Sequence, residues 1–493
     1  MSNLREECGV FGIFAKETQK VAETTYYGLF ALQHRGQEGC GIVVNDDGLV
    51  TYYKDVGLVN DVFTKEVMDY LGEGNMAIGH VRYGTTGKND RLNCQPIVVN
   101  HHKGRMALAH NGNLVNSFEL RQELELQGSI FHTTSDTEVI SHIITKERIS
   151  SDSIEEAINK AMYKIKGAYS LVIMSPSKLV AVRDIHGFRP LCYGKRDDGA
   201  YVVASESCAL DSVNATYIRD IEPGEILVFE EGGIRSIKDH CNKAPHKMCI
   251  FEYIYFARPD SVIEGKGVHD ARIKAGACLA MEHPVQADVV IGVPDSGLDA
   301  AIGYARQSGI PYGIGFIKNK YIGRTFIDPG QKNREDKVRI KLNVLKETVR
   351  GKRVVLVDDS IVRGTTITRI IKILREAGAT EVHVRSAAPP FTNPCYYGTD
   401  VDSQDNLIAC QYPIDKIAEV VNADSVGYLD VNHLNMLIGT PLDEGYCHGC
   451  FSGKYPTETP KFQGNDKFEQ KIGSHHHDEK KADKPDLDDI RTN

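Results

Sequence analysis

The sequence predicts two joined domains: an α+β domain of largely antiparallel sheet, then an α/β domain built on a parallel sheet. Three observations lead there. The chain has 493 residues, too many for one core, so two domains of roughly 200 residues each are expected. Its first half is a quick succession of short apolar runs punctuated by turn residues. Its second half alternates apolar strands with amphipathic helices, the rhythm of a parallel sheet covered on both faces.

The first-half strands are "CGVFGIFA", "GCGIVVND", "LVTYYKDV", "MAIGHVRYG", "RMALAHNG", "AYSLVIMSP", "KLVAVRDI" and "AYVVASES", with turns at Asp46-Asp47-Gly48 and Asp197-Asp198-Gly199. Between them run helical patterns. These are "SFELRQELELQG", with a cap at Asn116 or Ser117, then "SDTEVISHIITKE", and "SIEEAINKAMYKIKG" closed by Gly167. The polar, Pro-containing stretch "KDHCNKAPHKM" marks a boundary near residue 240. Beyond it come the strand and turn "ADVVIGVPDSG", the helix "LDAAIGYARQSG", the strand and loop "KRVVLVDDSIVRGTT", the helix "ITRIIKILREAGA" and the strand "TEVHVRSA". Ile367, Ile370, Ile371 and Leu374 form one apolar stripe at helical spacing. From about Lys461 large apolar residues almost vanish, which predicts a disordered tail over 456–493.

Composition narrows the function classes. Apolar residues make up 41% and charged residues 25%, as in ordinary globular proteins. A net charge of −9 speaks against a general nucleic-acid binder. No apolar stretch is long enough to span a bilayer and the acidic N-terminus lacks a signal-peptide pattern, so a cytoplasmic protein without membrane contact is expected. Twelve cysteines there are not a disulfide framework.

The most informative stretch is "VVLVDDSIVRGTT". An apolar strand delivers Asp358 and Asp359 to the carboxyl edge of the sheet, where ligands of such folds bind, and Arg363, Gly364, Thr365 and Thr366 lead into a helix. Gly364 admits a phosphate close to the backbone, while helix-start amides and the Thr365 and Thr366 hydroxyls supply donors. The two carboxylates suit ribose hydroxyls or Mg²⁺. The layout differs from a Walker loop and from the dinucleotide fingerprint, and is similar to the signature of type I phosphoribosyltransferases. Two further pieces fit. "VPDSG" brings Asp295 and Ser296 to another strand end, with amides for a pyrophosphate and Ser296 for the metal shell. The stretch 318–339 carries Lys318, Lys320, Arg324, Lys332, Arg334, Lys337 and Arg339 against Asp328, Glu335 and Asp336. It suits a lid over a polyphosphate, with a plain solvated loop as the alternative.

At the other end, "CGVFGI" is followed by "LFALQHRGQEGCGI", "GHVRYGTTG", "AHNGN" and "TTSDTE". In this order they resemble the N-terminal-nucleophile glutaminase domain of the class II amidotransferases, over residues 8–240, and the resemblance implies a four-layer αββα sandwich. The chemistry is direct. A thiol titrates at about 8.5 and an α-amine at about 7.7 to 8.0, so a terminal cysteine carries its own base. Cys8 gains one only if residues 1–7 are a propeptide that is removed. The resemblance assigns Arg82 to the carboxylate of glutamine, Asp136 to its ammonium, Asn111 and Gly112 to the tetrahedral oxyanion, and Tyr83 and Thr85 to the pocket wall, with Arg35 and Gly36 nearby. An ordinary core thiol is the alternative for Cys8.

"YCHGC" places Cys447 and Cys450 at ligand spacing, which fits zinc, an iron–sulfur cluster, a redox pair or nothing. The family resemblance nominates Cys249 and Cys395 to complete a [4Fe-4S] centre of structural or oxygen-sensing role, with zinc at the same cysteines as the alternative. Cys40, Cys94, Cys192, Cys208, Cys241, Cys278 and Cys410 read as core thiols.

Joined in this order, the halves resemble the glutamine phosphoribosylpyrophosphate amidotransferases over residues 1–455, with the phosphoribosyltransferase domain at 241–455. That resemblance implies a pentosyltransferase making 5-phosphoribosylamine, pyrophosphate and glutamate for purine synthesis. It also implies Mg²⁺, feedback inhibition by purine nucleotides and a homotetramer. Two rivals are another class II amidotransferase, such as glucosamine-6-phosphate synthase or asparagine synthetase, and a non-enzymatic nucleotide sensor. The phosphate loop speaks against the first; the lid and a terminal nucleophile would be purposeless in the second.

Overall fold

The structure, a computed structural model, describes residues 8–83, 90–319, 342–399, 401, 403–439 and 445–460. The first domain is two antiparallel sheets face to face. One has seven strands in the order Ala215–Asp220, Cys192–Arg196, Tyr201–Ala204, Gly9–Gln19, Gly74–Arg82, Gly39–Asp46 and Leu49–Val56. The other has six, in the order Gly233–Ile237, Ile226–Glu230, Leu179–Arg183, Gly167–Met174, Gly104–Leu114 and Ile97–His101.

Alternation along the strands builds the layers. On Gly9–Gln19, Phe11, Ile13 and Ala15 pack with Val21, Ala22 and Leu29 of the helix Val21–Ala31. Val10 and Phe14 point the other way, into the space between the sheets, with Met76, Ile78, Val172 and Leu179. On the far face, Leu108, Leu171, Ile173 and Val180 meet Ile140, Ile143 and Ile144 of the helix Asp136–Ile149 and Ile158 of the helix Ile154–Met162. Helix, sheet, sheet, helix is the expected sandwich. It also explains why inner strands such as Gly39–Asp46, Gly167–Met174 and Leu179–Arg183 read as continuous apolar runs: both faces are buried.

Two local expectations fail. The helix Ile154–Met162 stops short of Gly167, which begins the strand Gly167–Met174 opposite Leu114. Pairing with a distant strand takes over the last residues of the helical pattern. Asn116 precedes the helix Ser117–Leu126 without capping it; its amide instead bonds the backbone of Lys164 and Lys166, each at 2.9 Å.

The second domain carries four parallel strands in the order Val289–Gly292, Arg353–Asp358, Glu381–Ser386 and Ser425–Tyr428. Val290, Val355 and Val357 face Ala275, Leu279, Ala301 and Tyr304 of the helices Val268–Glu282 and Gly297–Ser308. Ile291, Val354, Leu356 and Val382 face the predicted stripe Ile367, Ile370, Ile371 and Leu374 on the helix Thr365–Glu376. An antiparallel pair, Phe316–Lys318 with Leu342–Val344, forms the base of the predicted lid. The rest of that lid, 320–341, lies outside the described residues, as do 1–7 and 461–493. No helix among the described residues is long and apolar enough to cross a membrane.

Candidate active sites

Cys8 sits one residue ahead of the strand Gly9–Gln19, whose antiparallel register puts Gly9 opposite Val81. Cys8 therefore meets the end of the strand carrying Arg82: its Sγ lies 3.5 Å from the Tyr83 carbonyl, and Arg35 Nε donates to the Cys8 carbonyl at 3.1 Å. The second sheet is pinned to the same edge, because His80 Nε2 is 3.0 Å from the His110 carbonyl, just before Asn111 and Gly112. Burial pushes the His80 imidazole down to about 3, so this link is neutral.

Asn111 is 1% exposed, yet its Nδ2 has no hydrogen-bond partner. Nearly every buried amide is paired, because leaving one unpaired costs about 1–3 kcal/mol. This donor is held for something that binds. Asp136 opens its helix behind the same strand and accepts from the Leu114 amide at 3.0 Å. Burial alone would raise its carboxyl, but His110 and the amide bonds outweigh that and hold it below the usual carboxylate range, charged and ready for a cation. Arg82 and Tyr83 are buried at the edge; Thr85 lies outside the described residues.

The second site forms where Arg353–Asp358 ends. Asp358 and Asp359 are both buried, and the Asp359 amide donates to Asp358 Oδ1 at 3.0 Å. The hydroxyls of Ser296 and Ser360 donate to the two oxygens of Asp359. Burial, with the like charge of Asp359, raises the Asp358 carboxyl; burial raises Asp359 against the pull of its two serines. Such a pair suits a cation that displaces its proton to solvent, or donors such as hydroxyls.

Asp358, Ser360, Arg363, Gly364, Thr365 and Thr366 line one pocket at the start of the helix Thr365–Glu376, where the positive end of the helix dipole favours an anion. Gly364 has φ +76°, and a Cβ there would stand 2.4 Å from Ile408 Cδ1, so only glycine fits. Asp295 is exposed and forms an ion pair with Lys318, which ties the "VPDSG" loop to the base of the lid. Lys320 and Arg324 lie outside the described residues.

The four nominated cysteines gather near the junction of the domains. Met248–Cys249 pairs in parallel with Tyr446–Cys447, Cys249 opposite Cys447. The Cys450 carbonyl accepts from the amides of Thr392 and Asn393, both at 3.1 Å, which draws in the Cys395 segment. Burial raises the Cys450 thiol strongly, and Cys395, Cys249 and Cys447 around it add to the rise. Cys447 is pushed up to about 12, chiefly by burial. Thiols gathered in this way suit a shared positive centre. Among the described residues, no three His, Cys, Asp or Glu side chains converge on the geometry of a single metal ion. Of the cysteines read as core thiols, Cys40, Cys94, Cys192, Cys208 and Cys278 are buried, but Cys241 is half-buried and Cys410 exposed on the short helix Ile408–Gln411. That helix packs through Ile408 and turns Cys410 outward.

Sequence reasoning missed the partners of Arg35. Glu206 and Glu252, both buried, take two of its donors, and nothing local to either residue signals a contact spanning so much chain.

Comparison with known proteins agrees with this geometry. A glutamine amidotransferase domain family matches residues 85–212 and a phosphoribosyl transferase domain family residues 272–425. The chain is 50% identical over 463 residues to an amidophosphoribosyltransferase of Bacillus subtilis, covering 93% of this chain and 96% of that one. It is 49% identical over 465 residues to that of Methanocaldococcus jannaschii, covering 92% and 98%. A solved B. subtilis glutamine phosphoribosylpyrophosphate amidotransferase, complexed with ADP and GMP, aligns at a TM-score of 0.85 and 49% identity over 92% of this chain and 98% of that one. A structure of the allosteric regulatory enzyme of purine biosynthesis aligns at 0.88 and 48% identity, over 95% and 100%. Matched by both domain families and by relatives over nearly its full length, the chain belongs to the amidophosphoribosyltransferase family.

Proposed function

We propose that the chain converts phosphoribosyl pyrophosphate, glutamine and water into 5-phosphoribosylamine, pyrophosphate and glutamate, the first committed step of de novo purine synthesis, with Cys8 as the nucleophile of residues 8–240. The observation that carries the assignment of the glutaminase half is the orphan Asn111 amide at the edge where Cys8 sits.

In this reading residues 1–7 are removed, freeing the Cys8 α-amine to take the thiol proton. The Arg82 guanidinium and the charged Asp136 hold the two ends of glutamine's amino-acid group, against a pocket wall of Tyr83 and Thr85. Sγ attacks the side-chain carbonyl, Asn111 Nδ2 and the Gly112 amide stabilise the oxyanion, and ammonia leaves. Water then cleaves the thioester to glutamate. Ammonia is nucleophilic only while unprotonated, so its passage to the sugar must be enclosed.

In residues 241–455, Asp358 and Asp359 accept from the ribose hydroxyls. The Gly364, Thr365 and Thr366 donors with Arg363 hold the 5-phosphate, and the Asp295–Ser296 loop with Lys320 and Arg324 covers the pyrophosphate. The donor set of Ser296, Asp358 and Asp359 is all oxygen and fits Mg²⁺; those residues would hold it, and it would supply positive charge beside the pyrophosphate. Ammonia attacks the anomeric carbon and pyrophosphate departs, with water excluded by the closed lid.

Cys249, Cys395, Cys447 and Cys450, buried or half-buried at the domain junction, would hold a [4Fe-4S] centre, with zinc at the same cysteines as the alternative. Purine nucleotides as feedback inhibitors draw support from the ADP and GMP in the B. subtilis structure. A cytoplasmic homotetramer completes the proposal. Glutamate release measured with and without phosphoribosyl pyrophosphate tests it: stimulation is expected, and none would overturn it. Intact mass tests the propeptide, since Met1 to Glu7 retained in fully active enzyme would refute its removal.

A further inference from the structure

A line of buried charge runs from the Cys8 edge of the first domain into the second. Beyond its bond to the Cys8 carbonyl, Arg35 donates through Nη1 to Glu206 at 2.5 Å and through Nη2 to the two oxygens of Glu252 at 2.8 and 3.0 Å. Arg189 reaches the same Glu252 carboxylate at 3.4 Å, and its Nε and Nη2 donate to the Tyr397 carbonyl at 3.2 and 2.6 Å. The side chains of Arg35, Glu206, Glu252 and Arg189 are each 0% exposed. Arg35, Glu206 and Arg189 belong to the first domain; Glu252 and Tyr397 belong to the second.

From Tyr397 the second domain turns back onto the strand that holds Asn111 and Gly112. Asn113 Nδ2 donates to the Tyr396 carbonyl at 3.0 Å, and the Phe188 and Tyr397 rings stack at 4.1 Å. Gly398 has φ +119°, and a Cβ there would stand 3.2 Å from Arg189 Nη2 and 3.5 Å from the Gly112 carbonyl carbon. The contacts therefore close a loop: Cys8 main chain, Arg35, Glu252, Arg189, Tyr397, Gly398, Gly112.

We infer that Glu252 and the segment 396–398 of the second domain are positioning residues for glutamine hydrolysis in the first, holding the Cys8 backbone and the Gly112 donor at the spacing the reaction needs. This rests on the reading of Cys8 as nucleophile and of Asn111 and Gly112 as oxyanion donors. The physical reason is charge. A buried carboxylate between two buried guanidinium groups keeps both in place; without it the two cations repel and Arg35 leaves the Cys8 carbonyl. A displacement near 1 Å of a reacting group costs on the order of a hundredfold in rate. Glutamine binding through Arg82 and Asp136 and the phosphoribosyl pocket are expected to be spared, because none of their side chains belongs to this line of contacts.

Glu252→Gln and Gly398→Ala in the full chain test this, with kcat and KM for glutamine measured beside phosphoribosylamine synthesis from added ammonia. In each variant kcat with glutamine is expected to fall roughly ten- to a hundredfold, with KM for glutamine and the ammonia-dependent rate near wild type. Gly398→Ala, which adds a single carbon, carries the test alone should Glu252→Gln not fold. An unchanged kcat, a rise in KM without a fall in kcat, or an equal fall in both nitrogen routes would overturn the inference. Cys8→Ser separates it from the reading beneath: glutamine-dependent synthesis surviving in Cys8→Ser would refute the nucleophile itself.

Discussion

Replacing Asn111 with leucine separates a residue kept for catalysis from one kept for folding. The substitution nearly preserves side-chain volume while removing the amide donor. In the unliganded protein that donor is buried and unpaired, so the fold bears a desolvation cost of about 1–3 kcal/mol for it. In the proposed mechanism the same N–H meets the oxyanion, an interaction worth about 2.7–4 kcal/mol in comparable sites. Asn111→Leu should therefore lower kcat for glutamine by about a hundredfold to a thousandfold, leave the ammonia-dependent rate unchanged, and leave the urea unfolding midpoint equal to or above wild type. Steady-state kinetics with both nitrogen sources, paired with urea unfolding, provide the assay. A loss of more than about 2 kcal/mol of stability with kcat intact would refute the argument, because the amide would then serve the fold.

Gly364→Ala combines a left-handed φ with a clash against Ile408; about 1–3 kcal/mol of strain is expected, read as a raised KM for phosphoribosyl pyrophosphate with glutaminase activity unaffected. Burial would raise the Glu206 carboxyl, but His34 and Arg35 outweigh it and hold it well below the usual range. A depressed carboxylate stabilises the fold above its unfolded pKa of about 4.3 and loses that contribution as pH falls toward the folded value. Glu206→Gln should thus flatten the acid side of the stability–pH curve below about pH 4.3; an unchanged acid limb would contradict the coupling. Cys447→Ser should strip iron and visible absorbance from purified protein, and full retention of both would remove Cys447 from the proposed centre.

Much of this was legible in the residues because the signals are local. The strand, acid pair, glycine and helix of 354–376 are contiguous, and the stripe Ile367, Ile370, Ile371 and Leu374 needs only helical periodicity to be read. Seven of the eight first-half strands announced themselves through burial on both faces; the eighth, Leu49–Val56, lies half-exposed at a sheet edge and was marked instead by the turn Asp46-Asp47-Gly48 before it. Strands such as Ala215–Asp220 and Gly233–Ile237 did not, since they lie at sheet edges, are short, and keep polar residues half-exposed. Pairing partners likewise decided the fate of Gly167 and Asn116. Within the site, Arg82, Asn111 and Asp136 came from short motifs, whereas the Arg35–Glu252–Arg189 line joins residues far apart in the chain. Only a folded backbone brings those together, and no periodicity encodes it.

The central claim is that one polypeptide releases ammonia at one site and consumes it at the other. The most direct measurement is the ratio of glutamate to pyrophosphate formed in one reaction with glutamine as the sole nitrogen source. Equal amounts, with both products lost together in Cys8→Ser, are the result this account predicts. Glutamate accumulating without matching pyrophosphate, or pyrophosphate release undiminished in that variant, would contradict it.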